Sequence, residues 1–232
     1  MQTVRIIGLV SVITSLLLMV IGHLGAHELN WLSYQISTYA ATAPYDYFVT
    51  TSMVLSALSL LIIGVLISRD NIIGTNYFAH LVPALSGAAA SGLIIVAYFE
   101  ETAQTLSLLK QSGFWAIRVQ TFHDAGLLIF FYSSVLLVIL AGILIILYKS
   151  NIITKVLGGV ILSMGPLSYV FMTTNWPKLI GLEGVTIGIK QRAALLCLWL
   201  AIALILAMAS NKRIKSQTRA LGRTNVLPLC EL

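Results

Sequence analysis

Six long apolar segments dominate this chain of 232 residues. Each has about the 20 mostly apolar residues that a helix needs to cross the hydrocarbon core of a bilayer. They cover residues 4–24, 48–67, 78–99, 125–147, 152–172 and 193–209. Only 9% of all residues are charged, and no water-soluble fold of this size hides so much apolar surface. The sequence therefore predicts an all-α, polytopic transmembrane bundle of six helices, and it excludes a soluble enzyme, a disordered chain and a coiled coil.

The distribution of basic residues predicts the orientation of the bundle. A six-span domain over residues 1–210 is followed by a basic tail over 211–232. Six spans put both termini on one side, and that side carries more basic residues and the shorter connections. Basic segments of this kind stay in the cytoplasm and face anionic headgroups. We therefore expect a multi-pass protein of a prokaryotic cytoplasmic (inner) membrane with both termini inside, and no nucleic-acid partner.

Small residues predict where the helices pack closely, since small side chains let helix backbones approach one another in lipid. The third span holds Ser86 and Gly92 at the ends of a run of glycine, alanine and serine. The fifth span holds Gly159 and Ser163, four residues apart and therefore on one helix face. We expect both faces to contact neighbouring helices.

The first outer loop, roughly residues 25–47, has the composition of an interfacial helix. Trp31, Tyr34 and Tyr39 are aromatic residues of the kind that settle at headgroup level, and Ser37 lies among them. Apolar residues recur in this loop at helical spacing with polar residues between them. The pattern predicts a short amphipathic helix that lies on the membrane surface.

Histidines and a carboxylate on the outer side form a candidate metal site. His23 and His27 are four residues apart, and His123 and Asp124 directly precede the fourth apolar segment. Imidazole and carboxylate groups bind zinc or copper, and a zinc-bound water can attack a lipid ester. No HExxH motif or Cys pair supports this hypothesis. The alternative is that these groups bond to headgroups, with Asp124 as the N-cap of the fourth helix. Apart from this metal we expect no cofactor.

Charged residues at two helix ends form a second candidate site. Glu100 and Glu101 follow the third apolar segment, and Lys190 and Arg192 precede the sixth. Both pairs oppose the dipole of their helix, so they offset one another if the two helix ends meet. With Arg118 they form a predicted outer charge cluster, either a structural clasp or a site for an anionic lipid headgroup.

Several short stretches of the sequence resemble one family. They are HELN at 27–30, QISTYA at 35–40, AP at 43–44, YFE at 98–100, TFH at 121–123 and GIKQR at 188–192. The chain resembles the bacterial and archaeal six-helix membrane proteins catalogued as domain of unknown function 998, and more distantly the six-helix Frag/DRAM-type membrane proteins of eukaryotes. The resemblance implies six spans and an outer location for Ser37, His123 and Arg192. It implies no reaction and brings no catalytic residue.

These observations favour a non-catalytic function. No Asp, Glu, Lys, Arg or His lies near the middle of an apolar segment, where ion-coupled transporters place such groups. We therefore expect binding of a lipid or another hydrophobic ligand at the outer leaflet, or an accessory role in a larger membrane assembly. Two alternatives stay open: an outer-facing, metal-dependent lipid hydrolase that uses the histidines, and a transporter of an uncharged solute.

Overall fold

The fold is known from a computed structural model, which describes residues 2–25, 36, 46–69, 77–99, 114–179 and 187–208. These residues form helices and no strand. Six helices are long and apolar enough to cross a membrane. They are α1 (Gln2–Gly25), α2 (Asp46–Arg69), α3 (Tyr77–Tyr98), α4 (Phe114–Tyr148), α5 (Ile152–Thr173) and α7 (Ile187–Met208), while α6 (Trp176–Leu179) is a single turn. The predicted all-α bundle of six spans is confirmed.

The spans form a closed bundle. Each of the first five packs against the next one along the chain, and α7 packs against both α5 and α1. α7 also contacts α2 and α4 across the centre of the bundle. We call the end where α2, α4 and α7 begin the distal end, and the end where α1 begins and α7 ends the terminal end.

Apolar side chains cover both the interior and the outside of the bundle. Leu60, Leu137 and Leu198 are fully buried in the core. On the outside, Val10 and Leu17 of α1 are more than half exposed, and every other span also has exposed apolar side chains. Such a surface matches lipid, in which helices satisfy all of their backbone hydrogen bonds internally. The protein is an integral, multi-pass membrane protein.

Two helix crossings depend on glycine. A Cβ atom added at Gly92 in α3 would lie 2.5 Å from the backbone nitrogen of Phe130 and 2.7 Å from the backbone oxygen of Gly126, both in α4. A Cβ added at Gly142 in α4 would lie 2.6 Å from the backbone nitrogen of Leu162 in α5. At both crossings the backbones touch, as small residues allow in lipid.

The small-residue pattern predicted one packing face correctly and one wrongly. Gly92 packs against α4 as expected, but Gly159 has no side-chain or neighbouring-helix atom within 4 Å of an added Cβ, and Ser163 is exposed. Gly158 and Gly165 face α4 instead. Adjacent helix positions differ by about 100° in direction, so a shift of one residue turns the predicted face toward lipid.

Two helices begin earlier than the apolar segments predicted. α4 begins at Phe114 rather than at residue 125, and α7 begins at Ile187 rather than at residue 193. Polar residues in the first turns lower the hydropathy there but do not interrupt the backbone hydrogen bonds of the helix. Asp124 consequently lies inside α4, so its interpretation as an N-cap is wrong.

Candidate functional site

A cavity of about 210 Å³ lies inside the distal half of the bundle, and all six spans contribute to its wall. Most of the lining is apolar, with Met19 from α1, Met53 from α2, Val96 from α3, Phe130 from α4 and Leu195 from α7. An engineered cavity of about 150 Å³ in a soluble protein binds benzene. This cavity is therefore large enough to hold part of an apolar molecule.

Exposed lining residues on α4 and α5 indicate that the cavity opens between these two helices. Leu128 and Tyr132 of α4 line the cavity, although 56% and 48% of their surfaces are exposed on the outside of the bundle. Thr173 at the end of α5 also lines the cavity and is exposed. Nearer the terminal end the same two helices touch at Gly142 and Leu162.

A network of buried hydroxyl groups adjoins the cavity on the side toward the terminal end. We call this side the floor of the cavity. Ser56 lines the cavity, and its Oγ atom lies 2.5 Å from the Oγ atom of Ser15. Ser52 donates to the backbone oxygen of Ser15 at 2.8 Å, and the Oγ atoms of these two serines are 2.9 Å apart. The indole Nε1 of Trp199 donates to the Oγ atom of Ser56 at 3.0 Å. This network joins α1, α2 and α7.

The distal end of the cavity carries a buried amide. Gln191, in the second turn of α7, lines the cavity and is 7% exposed. Its Oε1 atom accepts a hydrogen bond from the backbone N–H of Ile36 at 3.0 Å, and Ile36 also lines the cavity. Because a backbone N–H only donates, this bond fixes the amide oxygen toward Ile36 and turns the NH₂ group away from it.

Two of the histidines proposed as metal ligands lie at the distal end. The Nδ1 atom of His23 bonds to the backbone oxygen of Met19, one turn earlier in α1. His123 is 1% exposed, and its Nδ1 atom donates to the backbone oxygen of Phe99 at 2.7 Å, which ties α4 to the end of α3. The Nε2 atom of His123 is buried without a hydrogen-bond partner among the described residues.

The metal site itself stays a prediction. Within the described ranges, no three His, Cys, Asp or Glu side chains lie close enough together to hold a metal ion. Asp124 is exposed on α4, directly after His123. His27, the other proposed ligand, lies outside the described residues.

The two cations of the predicted charge cluster at the start of α7 have neighbours on other elements. The Nζ atom of Lys190 donates to the Oδ1 atom of Asn175 at 3.0 Å, which links α7 to the connection between α5 and α6. Arg192 lies close enough to His23 for its positive charge to act on the imidazole ring. The pairing of these cations with carboxylates of the cluster stays a prediction.

Of the remaining proposed site residues, one lies in a described helix. Arg118 lies on the first turns of α4. The others lie outside the described residues: Trp31, Tyr34, Ser37, Tyr39, Glu100 and Glu101. The predicted interfacial helix of the first loop lies there as well.

Sequence reasoning missed the residues that give the cavity its polar character. Gln191 lies in the sequence between Lys190 and Arg192, which were assigned to the charge cluster. Of these three residues, Gln191 lines the cavity. Ser52 and Ser56 are four apart in α2 and therefore share one face. Paired polar residues on one face of an otherwise apolar span were the available signal.

Comparison with known proteins identifies a family. The family described as protein of unknown function (DUF998) matches the chain over residues 9–208, a range that runs from α1 to the end of α7. No curated protein and no solved structure matches the chain.

Proposed function

The chain belongs to the family described as protein of unknown function (DUF998), and from that premise we propose that it is a non-catalytic protein that binds the acyl chain of a membrane lipid. The observation that carries this proposal is the apolar cavity with its side open to lipid between α4 and α5. A chain in the adjacent leaflet reaches such a cavity laterally, without crossing a polar surface.

Packing supplies the free energy for this binding. A lipid tail gains little from the hydrophobic effect when it moves from the bilayer into a protein, because both surroundings are apolar. An empty cavity, however, forfeits dispersion contacts, at about 24 cal/mol per Å³. An occupant that matches the shape of the cavity of about 210 Å³ recovers these dispersion contacts.

The neighbours of Ser56 support binding rather than hydrolysis. A serine nucleophile needs an adjacent general base that takes its proton. Among the described residues, the hydroxyl of Ser56 bonds to another serine, Ser15, and to the indole N–H of Trp199. Neither group is a general base at neutral pH.

The proposal assigns the cavity to the outer leaflet of a prokaryotic cytoplasmic membrane. Basic residues are concentrated on the side of the bundle that carries the termini. The positive-inside rule assigns that side to the cytoplasm. A C-terminal reporter that works only in the cytoplasm is expected to be active. If instead only a reporter that works outside the cytoplasm is active, both termini lie outside. The cavity, which is in the opposite half of the bundle, then lies in the inner leaflet.

Two neighbouring leucines test the proposal. Leu195→Trp puts an indole into the cavity, whereas Leu196→Trp puts the same indole on the lipid-facing side of α7. We expect the wild-type protein and Leu196→Trp to retain lipid through a detergent wash, and Leu195→Trp to retain at least about tenfold less, since a loss of 1.4 kcal/mol already changes affinity tenfold. Native mass spectrometry counts the retained lipid.

The thermal unfolding of both variants serves as the control for folding. If all three proteins retain the same amount of lipid, the retained lipid lies outside the cavity and the proposal is wrong. It is also wrong if the wild-type protein retains none.

A further inference from the structure

We infer that the ligand carries a hydrogen-bond acceptor, the ester or carboxyl oxygen of an acyl lipid, and that the amide NH₂ group of Gln191 donates to it. This inference rests on the proposed function and deepens it, because it names the chemical class that the same cavity selects. A pure hydrocarbon would fill the cavity but would not pair this amide.

The inference starts from the hydrogen bonds of Gln191. The side chain is more than nine-tenths buried and lines the cavity. Its oxygen is occupied by the backbone N–H of Ile36. Among the described residues, its Nε2 atom has no hydrogen-bond partner, although an NH₂ group offers two donors. This Nε2 atom is not among the side-chain atoms that are buried without a partner, so it is accessible, and an acceptor on a ligand in the cavity can pair with it.

The polar groups at the floor of the cavity need no hydrogen-bond acceptor from a ligand. The donors there find acceptors among themselves: Trp199 donates to Ser56, the hydroxyl of Ser56 points to Ser15, and Ser15 donates to the backbone oxygen of Ser52. In this arrangement every proton of the network is used. The polar part of the ligand is therefore recognised at the distal end, and the chain end meets the floor.

The spacing along α7 fits the orientation of a lipid in its leaflet. Gln191 and Trp199 are eight residues apart, which is about 12 Å along a helix axis. Gln191 lies in the second turn of α7, toward the distal end of the span, and Trp199 lies nearer its middle. A bound acyl lipid thus keeps its ester near the interface and its chain directed toward the midplane.

The test compares three probes with 16-carbon chains: a monoacylglycerol, the free fatty acid and hexadecane. Binding to the purified full-length protein is measured by competition with a radiolabelled acyl lipid. We expect the wild-type protein to prefer the two oxygenated probes over hexadecane by about tenfold. Tighter binding of the fatty acid assigns the acceptor to a carboxylate, and tighter binding of the monoacylglycerol assigns it to an ester.

Two substitutions separate the roles of the amide. Gln191→Met removes both the acceptor for Ile36 and the NH₂ donors, while Gln191→Glu, assayed at a pH at which its carboxylate is ionised, keeps an oxygen for Ile36 and has no donor. Both are expected to lose the preference for the monoacylglycerol over hexadecane while binding hexadecane as the wild-type protein does. Lys190→Met, at a position that does not line the cavity, is the matched control and keeps the preference.

The outcomes distinguish this inference from the proposed function. If the wild-type protein binds none of the three probes, the proposed function fails. If it binds hexadecane as tightly as the monoacylglycerol, or if Gln191→Met keeps the wild-type preference, the cavity binds apolar chains but the assignment of the donor to Gln191 is wrong.

Discussion

Gly92→Ala is expected to destabilise the bundle by about 3 kcal/mol, although it adds only one methyl group. The new Cβ atom would lie 2.5 Å from the backbone nitrogen of Phe130 and 2.7 Å from the backbone oxygen of Gly126. Backbone atoms cannot rotate away as a flexible side chain can, so α3 and α4 must separate along much of their contact. The free energy of unfolding in mixed micelles, from a denaturing-detergent titration, measures the effect.

Gly87→Ala in the same helix is the matched control. Among the described residues, no side-chain atom and no atom of another helix lies within 4 Å of a Cβ atom added at Gly87. The substitution is expected to be neutral or to stabilise the protein by up to about 1 kcal/mol, because alanine favours the helix more than glycine does. If both substitutions change the free energy of unfolding by the same amount, α3 and α4 do not cross as closely as described.

Ser15→Leu is expected to have the second large effect, a loss of about 3 kcal/mol. Ser15 is fully buried, and its hydroxyl lies within 3 Å of polar atoms of Ser52 and Ser56. Leucine removes this hydroxyl and is too large for the space between α1 and α2. Ser15→Ala, which removes the hydroxyl without crowding, is expected to cost only about 1–2 kcal/mol.

An exposed serine provides the comparison for that measurement. Ser163 of α5 bonds only to the backbone of its own helix and faces outward. Ser163→Leu is expected to change the free energy of unfolding by less than about 0.5 kcal/mol. If Ser15→Leu is as stable as Ser163→Leu, the hydroxyl network does not hold α1 against α2.

The six spans were predictable because the thickness of the bilayer fixes the length of an apolar segment. The first residues of α4 and α7 were not predictable from hydropathy. Hydropathy falls wherever polar residues occur, whereas a helix continues as long as its backbone hydrogen bonds do. Around Arg118 and Asp124 the two criteria differ. Packing faces were predictable only in part: Gly92 and Gly159 have similar sequence contexts, and only the first faces a neighbouring helix.

The candidate site was harder to predict than the fold. A cavity is a gap between helices, and spacing along one helix does not reveal where two others diverge. His123 lies at the distal end, and the sequence carries no sign that its ring is buried and bonded to the end of α3. Gln191, an uncharged residue between two cations, carries no signal of its own burial.

The most direct test of lipid binding in the cavity uses Trp199 as a reporter. Replacing Trp31, Trp115 and Trp176 by phenylalanine leaves Trp199, which lines the cavity, as the single tryptophan. The protein is reconstituted into bilayers that contain increasing fractions of a phospholipid with a brominated acyl chain, which quenches tryptophan fluorescence on contact. A second protein has the same three replacements together with Trp199→Phe and Leu196→Trp. Its single tryptophan therefore lies at position 196, on the lipid-facing side of α7.

We expect the fluorescence of Trp199 to be quenched to saturation at a low fraction of brominated lipid, while the lipid-facing tryptophan is quenched in proportion to that fraction. Such saturation is the signature of a chain bound in the cavity. If Trp199 follows the same proportional dependence as the lipid-facing tryptophan, or is not quenched at all, no acyl chain occupies the cavity.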